Sequence, residues 1–161
     1  MPSSLKTTAP RAIPDGAPAV EHIDTAYLET LLGYNARRVS LKVIEQFNIR
    51  MAAYGLSPVD FSVLSLITHN PGITSRQICS ALNLLPPNLV GKISTMEKRA
   101  LVARRPHPED GRAIGLYLIS EGEKLMRNAE HTASELEREA ASRLSAAEKK
   151  TLLRLLQKVY L

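Results

Sequence analysis

The chain has 161 residues, 44% of them hydrophobic but only 4% aromatic, and a formal charge of +5. That length and balance suit one domain with an aliphatic core and a polyanionic partner. A single cysteine, Cys79, excludes an intramolecular disulfide framework and fits a reducing cytoplasm, and no apolar run approaches the length of a membrane span.

The first residues, Met1 to Ala19, are rich in Pro, Ala, Ser and Thr and lack the apolar stretch of a leader. Residues 1–20 are therefore expected to be a disordered arm, neither signal peptide nor membrane anchor. Asp24 or Thr25 is placed to cap one long helix running to about Tyr54. Leu28, Leu32, Ala36, Val39, Val43, Phe47 and Met51 recur at three- and four-residue steps along it. Tyr27, Tyr34, Arg38 and Leu41 fall on a second face. A helix this long cannot bury both faces in a small monomer, so residues 21–55 are expected to dimerise.

Gly55 supplies the stop. Ser57, Pro58 and Asp60 have the order of an N-cap, a first helical residue and an anion at the positive end of the dipole. The helix they open carries Phe61, Leu64 and Ile67 and ends at the turn His69-Asn70-Pro71-Gly72. Ile73 to Leu82 reads as a short helix with a Thr74/Gln77 capping box. Its inward face is Ile78, Ala81 and Leu82, with Cys79 beside them. Asn83-Leu84-Leu85 is a turn, and Pro86 to Arg99 a second helix with the apolar stripe Leu89, Val90, Ile93 and Met96.

Leu101–Arg105 and Ala113–Ile119 alternate as two hairpin strands around the polar tip Pro106 to Arg112, with Ile114, Leu116 and Leu118 facing inward. Ser120 with Glu123 is expected to cap a helix to about Arg143. Ser145 with Glu148 opens a last one to Tyr160, lined by Leu152, Leu155, Leu156 and Val159. Residues 120–161 thus read as C-terminal dimerisation helices. Residues 56–119 read as a winged helix-turn-helix lobe, and the whole as mainly α with a small β-hairpin wing.

Function follows from that lobe. From Arg76 to Arg112 seven basic residues stand against three acidic ones, so most of the net charge lies on it. The second helix offers Asn88, Gly91, Lys92 and Thr95 on one face. Asn can bond adenine bidentately, Lys can donate to guanine or phosphate, the Thr methyl can touch thymine, and Gly91 lets the backbone come close. At the wing, Arg112 can enter a narrow minor groove with Asp110 steadying it and Gly111 relaxing the turn. The candidate DNA contacts are these residues together with Thr74, Arg76, Pro87, Arg99 and Arg104.

Residues from about Leu31 to Tyr160 resemble the MarR family of bacterial transcriptional regulators. The resemblance is carried by Gly55-Leu56-Ser57, Pro71-Gly72-Ile73-Thr74, Leu89-Val90 with Ile93, Arg99-Ala100-Leu101-Val102 with Arg104, and Pro108-Glu109-Asp110-Gly111-Arg112-Ala113. It implies a homodimer on a pseudo-palindromic operator, repression, and release by a small ligand. Asp110 and Arg112 match the family's wing pair, whereas Ala100 departs from the glycine often found before the first wing strand. Pro86-Pro87-Asn88-Leu89-Val90 further resembles a branch that controls aromatic-acid breakdown, including hydroxycinnamate and nicotinate pathways.

The resemblance also implies an effector pocket between the dimerising helices and the DNA-binding lobe. Tyr34, Arg37, Arg38, Phe61 and His69 are its candidates here, since arginine with aromatic walls suits a planar carboxylate such as a hydroxynicotinate or hydroxycinnamate derivative. No cofactor is expected, and His22, His69, His107 and His131 lack metal-ligand spacing and any nucleophile-base set, which argues against an enzyme. Two alternatives are a redox-sensing repressor acting through Cys79 and a helical interaction protein that does not bind DNA.

Overall fold

A computed structural model describes residues 22–107 and 113–161. The expected N-terminal arm lies outside the described residues, and so do Asp110 and Arg112 at the wing tip. By contact the chain divides into a unit ending at Ala36 and a unit from Arg37 to Leu161.

In the first unit the expected continuous helix is interrupted. Helix α1 covers only Ala26–Glu29, and α2 begins at Leu32 and runs to Met51. Asp24 Oδ1 accepts from the Ala26 amide at 2.8 Å, the sequence-expected start. The break follows from side chains that satisfy the freed carbonyls. The Thr30 hydroxyl donates to the Tyr27 carbonyl at 2.7 Å. The Asn35 amide donates to the Glu29 and Leu31 carbonyls at 2.7 and 2.9 Å.

In the second unit, α2 closes through a 3-10 turn, Ala52–Tyr54, and Gly55 turns the chain with φ 61°. Helix α3, Pro58–His69, starts at a full capping box in which the Ser57 hydroxyl accepts from the Asp60 amide and the Asp60 carboxylate accepts from the Ser57 amide. Phe47 of α2 meets Phe61 of α3 edge to face, with ring centroids 5.4 Å apart, a favoured aromatic geometry. Arg50 pairs with Glu139 across to the helix α6, Ser120–Ala140.

Ile73 and Thr74 are not the start of a helix. They form β1, pairing Ile73 with Leu116 and Thr74 with Gly115 in an antiparallel sheet. Thr74 still caps α4, Ser75–Leu82, with Gln77 as its reciprocal partner. Asn83 then takes the left-handed conformation, φ 49°, and α5 follows at Pro86–Lys98. Strands β2, Val102–Pro106, and β3, Ile114–Leu118, complete a sheet of order β1-β3-β2. The His107 amide donates to the Ala113 carbonyl at 2.9 Å beyond the last paired residues. Helix α7, Ala146–Tyr160, opens at the expected Ser145/Glu148 box.

The core is aliphatic, as the composition requires: Met51, Val63, Leu64, Ile67, Ile78, Leu89, Ile93, Leu116 and Met126 are its largest fully buried side chains. Three inward assignments fail. At about 100° per residue, Ile78, Cys79 and Leu82 share one sector of α4 and Ala81 falls outside it; Ala81 is exposed. Val90 lies about 90° from the centre of the Leu89/Ile93/Met96 stripe and is exposed, as is Ile114 at the outer end of β3. The Ser120/Glu123 box does not form either; Ile119 is the N-cap of α6, without a side-chain bond. The Ile119 amide donates to the Leu101 carbonyl at 3.1 Å, so the strand's last bond sets where the helix begins.

Ala100 occupies φ 54° between α5 and β2. For a residue with a Cβ that conformation costs about 1–2 kcal/mol. Ala100→Gly should therefore raise stability by about 0.5–1 kcal/mol after glycine's extra unfolded-state freedom is deducted. The check is a higher denaturant midpoint at an unchanged slope. No single helix among the described residues is long and apolar enough to cross a membrane.

Candidate nucleic-acid interface

Helix α5 buries Leu89, Ile93 and Met96 against the lobe. At about 100° per residue the opposite side is centred on Gly91, flanked by Pro87 and Lys98, with Asn88 and Thr95 on one shoulder and Val90 on the other. Pro87, Asn88, Val90, Gly91 and Thr95 are all exposed. A Cβ built on Gly91 meets nothing within 4 Å, so nothing among the described residues requires glycine there.

The cations of the lobe are less free than their exposure in the sequence implies. Lys92 Nζ donates to Asp60 Oδ1 at 2.8 Å, with both side chains largely covered. Partial burial pushes the Asp60 carboxyl up, but bonds from Lys92 and from the Ser57 hydroxyl and amide outweigh it and hold the group below its ordinary range. Asp60 is thus a carboxylate at neutral pH. Arg104 Nε donates to Glu97 Oε1 at 2.9 Å. Arg105 lies over the Tyr117 ring, 5.6 Å from its centroid, a cation–π distance.

Two residues expected as DNA contacts have internal tasks. Arg99 Nη1 donates to the Gly55 carbonyl at 2.9 Å and Nη2 to the Tyr54 carbonyl at 2.6 Å. That fork fixes the end of α5 to the corner between α2 and α3. The Thr74 hydroxyl donates to Gln77 Oε1 at 2.8 Å within the cap of α4, next to Arg76, which is exposed on the first turn. The sequence alone does not reveal the exposure of Val90 or the pairing of Asp60 with Lys92. Val90 was masked by its apolar character beside Leu89, and Asp60 by a separation of 32 residues from Lys92.

Of the ligand candidates, the structure brings Phe61 and His69 together. They line a groove of about 470 Å³ with Glu130, Ala133, Ser134, Glu137 and Lys149. His69 Nε2 is 2.9 Å from Glu130 Oε1. Arg37 and Arg38 are exposed and do not line this groove, and Tyr34 is half-buried. A second groove of about 430 Å³ between α3, the wing and α6 includes Arg105, Tyr117, Glu123 and Arg127. Cys79 is half-buried against the core. Among the described residues no cluster of His, Cys, Asp and Glu could hold a metal ion.

A helix, a left-handed turn and a second helix, followed by a hairpin that joins a short strand ahead of the first helix, define a winged helix-turn-helix protein. The family model described as MarR family matches residues 54–113, which hold that lobe from the 3-10 turn to the wing. The transcriptional repressor CouR, bound to a 23-mer DNA duplex, superposes with a TM-score of 0.79 at 31% identity. The match covers 86% of this chain and 99% of that one. The chain belongs to the MarR family of transcriptional regulators. CouR bound to p-coumaroyl-CoA matches with a TM-score of 0.72 at 30% identity, over 86% of this chain and 97% of that one. A Thauera aromatica protein assigned to regulation of the hcr operon is 26% identical over 130 residues, 80% of this chain and 78% of that protein.

Proposed function

We propose that this protein is a repressor that binds a pseudo-palindromic operator as a homodimer and is released by a small aromatic carboxylate. The observation that carries the DNA half is the outward side of α5, where Asn88 and Thr95 are exposed beside Gly91, a glycine that no contact among the described residues requires. Small side chains at the crest of a helix let its backbone approach base edges, and Asn88 can pair with an adenine. Arg76 on α4 and Lys98 on α5, both exposed, are placed to contact phosphates. Arg104 reaches DNA in this reading only by leaving Glu97. Asp110 and Arg112 are proposed to serve the minor groove from the wing.

The CouR neighbour that carries p-coumaroyl-CoA supports an effector of the hydroxycinnamate kind, free or as a thioester. The groove containing Phe61, His69 and Lys149 offers a ring wall and a cation for it. Lys149 takes the place there that Arg37 or Arg38 was expected to fill. A hydroxynicotinate derivative has the same planar anionic character.

Binding of labelled duplexes at stepped salt concentrations tests the first half. Affinity for a specific duplex should fall steeply, by about 10³-fold or more between 50 and 200 mM salt if six or more phosphates are contacted. Indifference to every duplex rejects the reading. Gly91→Ala sharpens it, because the two effects have opposite signs. The folded lobe should gain about 0.5–1 kcal/mol from helix propensity, while operator affinity drops by about 1–3 kcal/mol from a methyl forced into a close contact. Melting with added hydroxycinnamate, its coenzyme A thioester and a hydroxynicotinate tests the second half. The effector raises the melting temperature by mass action and dissociates the complex; no shift with any of them removes this ligand class.

A further inference from the structure

We propose that the leading turn of α5 reads a thymine in each half-site through its 5-methyl group, with Val90 as the contacting side chain and Leu85 beside the same end of the helix. This rests on the DNA-binding reading above and specifies what that face recognises. Val90 is 57% exposed and Leu85 69% exposed, and Pro86 and Pro87 between them are exposed as well. The end of the helix that leads toward DNA is therefore apolar. Between Arg76 and Lys92 the sequence holds no charged residue at all, and Lys92 is bound to Asp60. This turn has no charge of its own with which to hold the phosphate backbone.

An apolar side chain pressed against the polar edge of a base strips water from donors and acceptors without replacing their bonds, which is unfavourable. In the major groove of duplex DNA one apolar group is on offer, the methyl at C5 of thymine. Burying it against the two Val90 methyls is the arrangement that desolvates no polar atom. A second copy of the chain is the other conceivable cover. The large apolar faces left open for that purpose lie elsewhere, on α2 at Val39, Leu41 and Ile49 and on α7 at Leu152, Leu155 and Val159. The Val90 patch instead borders Pro87 and Gly91, across the crest of α5 from Asn88 and Thr95, and adjoins the proposed reading face.

The test uses the full chain and a duplex selected by it from a random pool. Each thymine is replaced singly by deoxyuridine, which keeps every hydrogen bond and removes only the methyl. One position per half-site should weaken wild-type binding about fourfold, the worth of one buried methyl. Val90→Ala should bind more weakly than wild type yet lose its sensitivity to deoxyuridine at that position. The variant's unchanged melting temperature excludes a folding effect, since Val90 is outside the core. Specific binding that ignores deoxyuridine at every thymine overturns the methyl contact and leaves the regulator reading standing. A penalty of the same size in both Val90→Ala and Leu85→Ala also overturns it. Failure to select any duplex overturns the DNA-binding reading itself, and this inference with it.

Discussion

Gly122→Ala should destabilise the protein by about 3 kcal/mol or more, the upper range of overpacking costs. Helix propensity alone points the other way, since alanine within a helix is worth about 0.5–1 kcal/mol over glycine. The structure decides the sign. A Cβ built on Gly122 falls 2.1 Å from the Leu101 carbonyl oxygen and 2.9 Å from its carbon. Those atoms are backbone and cannot rotate aside. Moving α6 away would break the Ile119 to Leu101 bond and lift Met126 and Ala129 from a core in which both are fully buried. Denaturant unfolding of Gly122→Ala beside Gly91→Ala gives two equivalent substitutions with opposite expected outcomes. Equal effects of both would refute the close approach of α6 to β2.

The paired substitution Leu152→Asp with Leu156→Asp should abolish the homodimer proposed above and reduce operator affinity by about 10²–10⁴-fold, the loss expected when two linked contacts become one. Helix α7 has no buried residue along its whole length. Leu152, Leu153, Leu155 and Leu156 are all among the exposed large hydrophobics. An isolated helix of about 15 residues is marginal in water, so a face of this kind needs a partner to persist. Sedimentation should show single chains, while far-UV dichroism keeps the signal of α3 to α6, whose core lies elsewhere. A variant that still sediments as a dimer at micromolar concentration would place the interface off α7.

Much of this was legible in the sequence because it is encoded locally. Ser57, Thr74 and Ser145 sit within three residues of the partners that complete their caps, and the turn at Asn70-Pro71-Gly72 and the two strands around the wing tip are equally short-range. What stayed hidden depends on distant segments meeting. Ile73 became a strand because Leu116 arrives beside it. Lys92 and Arg99 read as free cations in the sequence because Asp60 and the Tyr54 and Gly55 carbonyls that hold them are remote along the chain. The break after α1 was missed for a different reason: the apolar stripe runs straight through Thr30, and only the Asn35 side chain reveals the interruption. Of the five residues expected around a ligand, Phe61 and His69 line one groove, and the basic residue beside them there is Lys149, from a helix that the sequence assigned wholly to dimerisation.

The grip of Arg99 on the Tyr54 and Gly55 carbonyls makes the base of α5 and the foot of α2 move as one piece, since sliding either would forfeit two charge-assisted bonds. In the reading proposed above, that joint would couple α2 to the helix laid against DNA. In the proposed homodimer, a few degrees of tilt at that corner would change how far apart the two α5 helices stand, and with it which duplexes they could straddle.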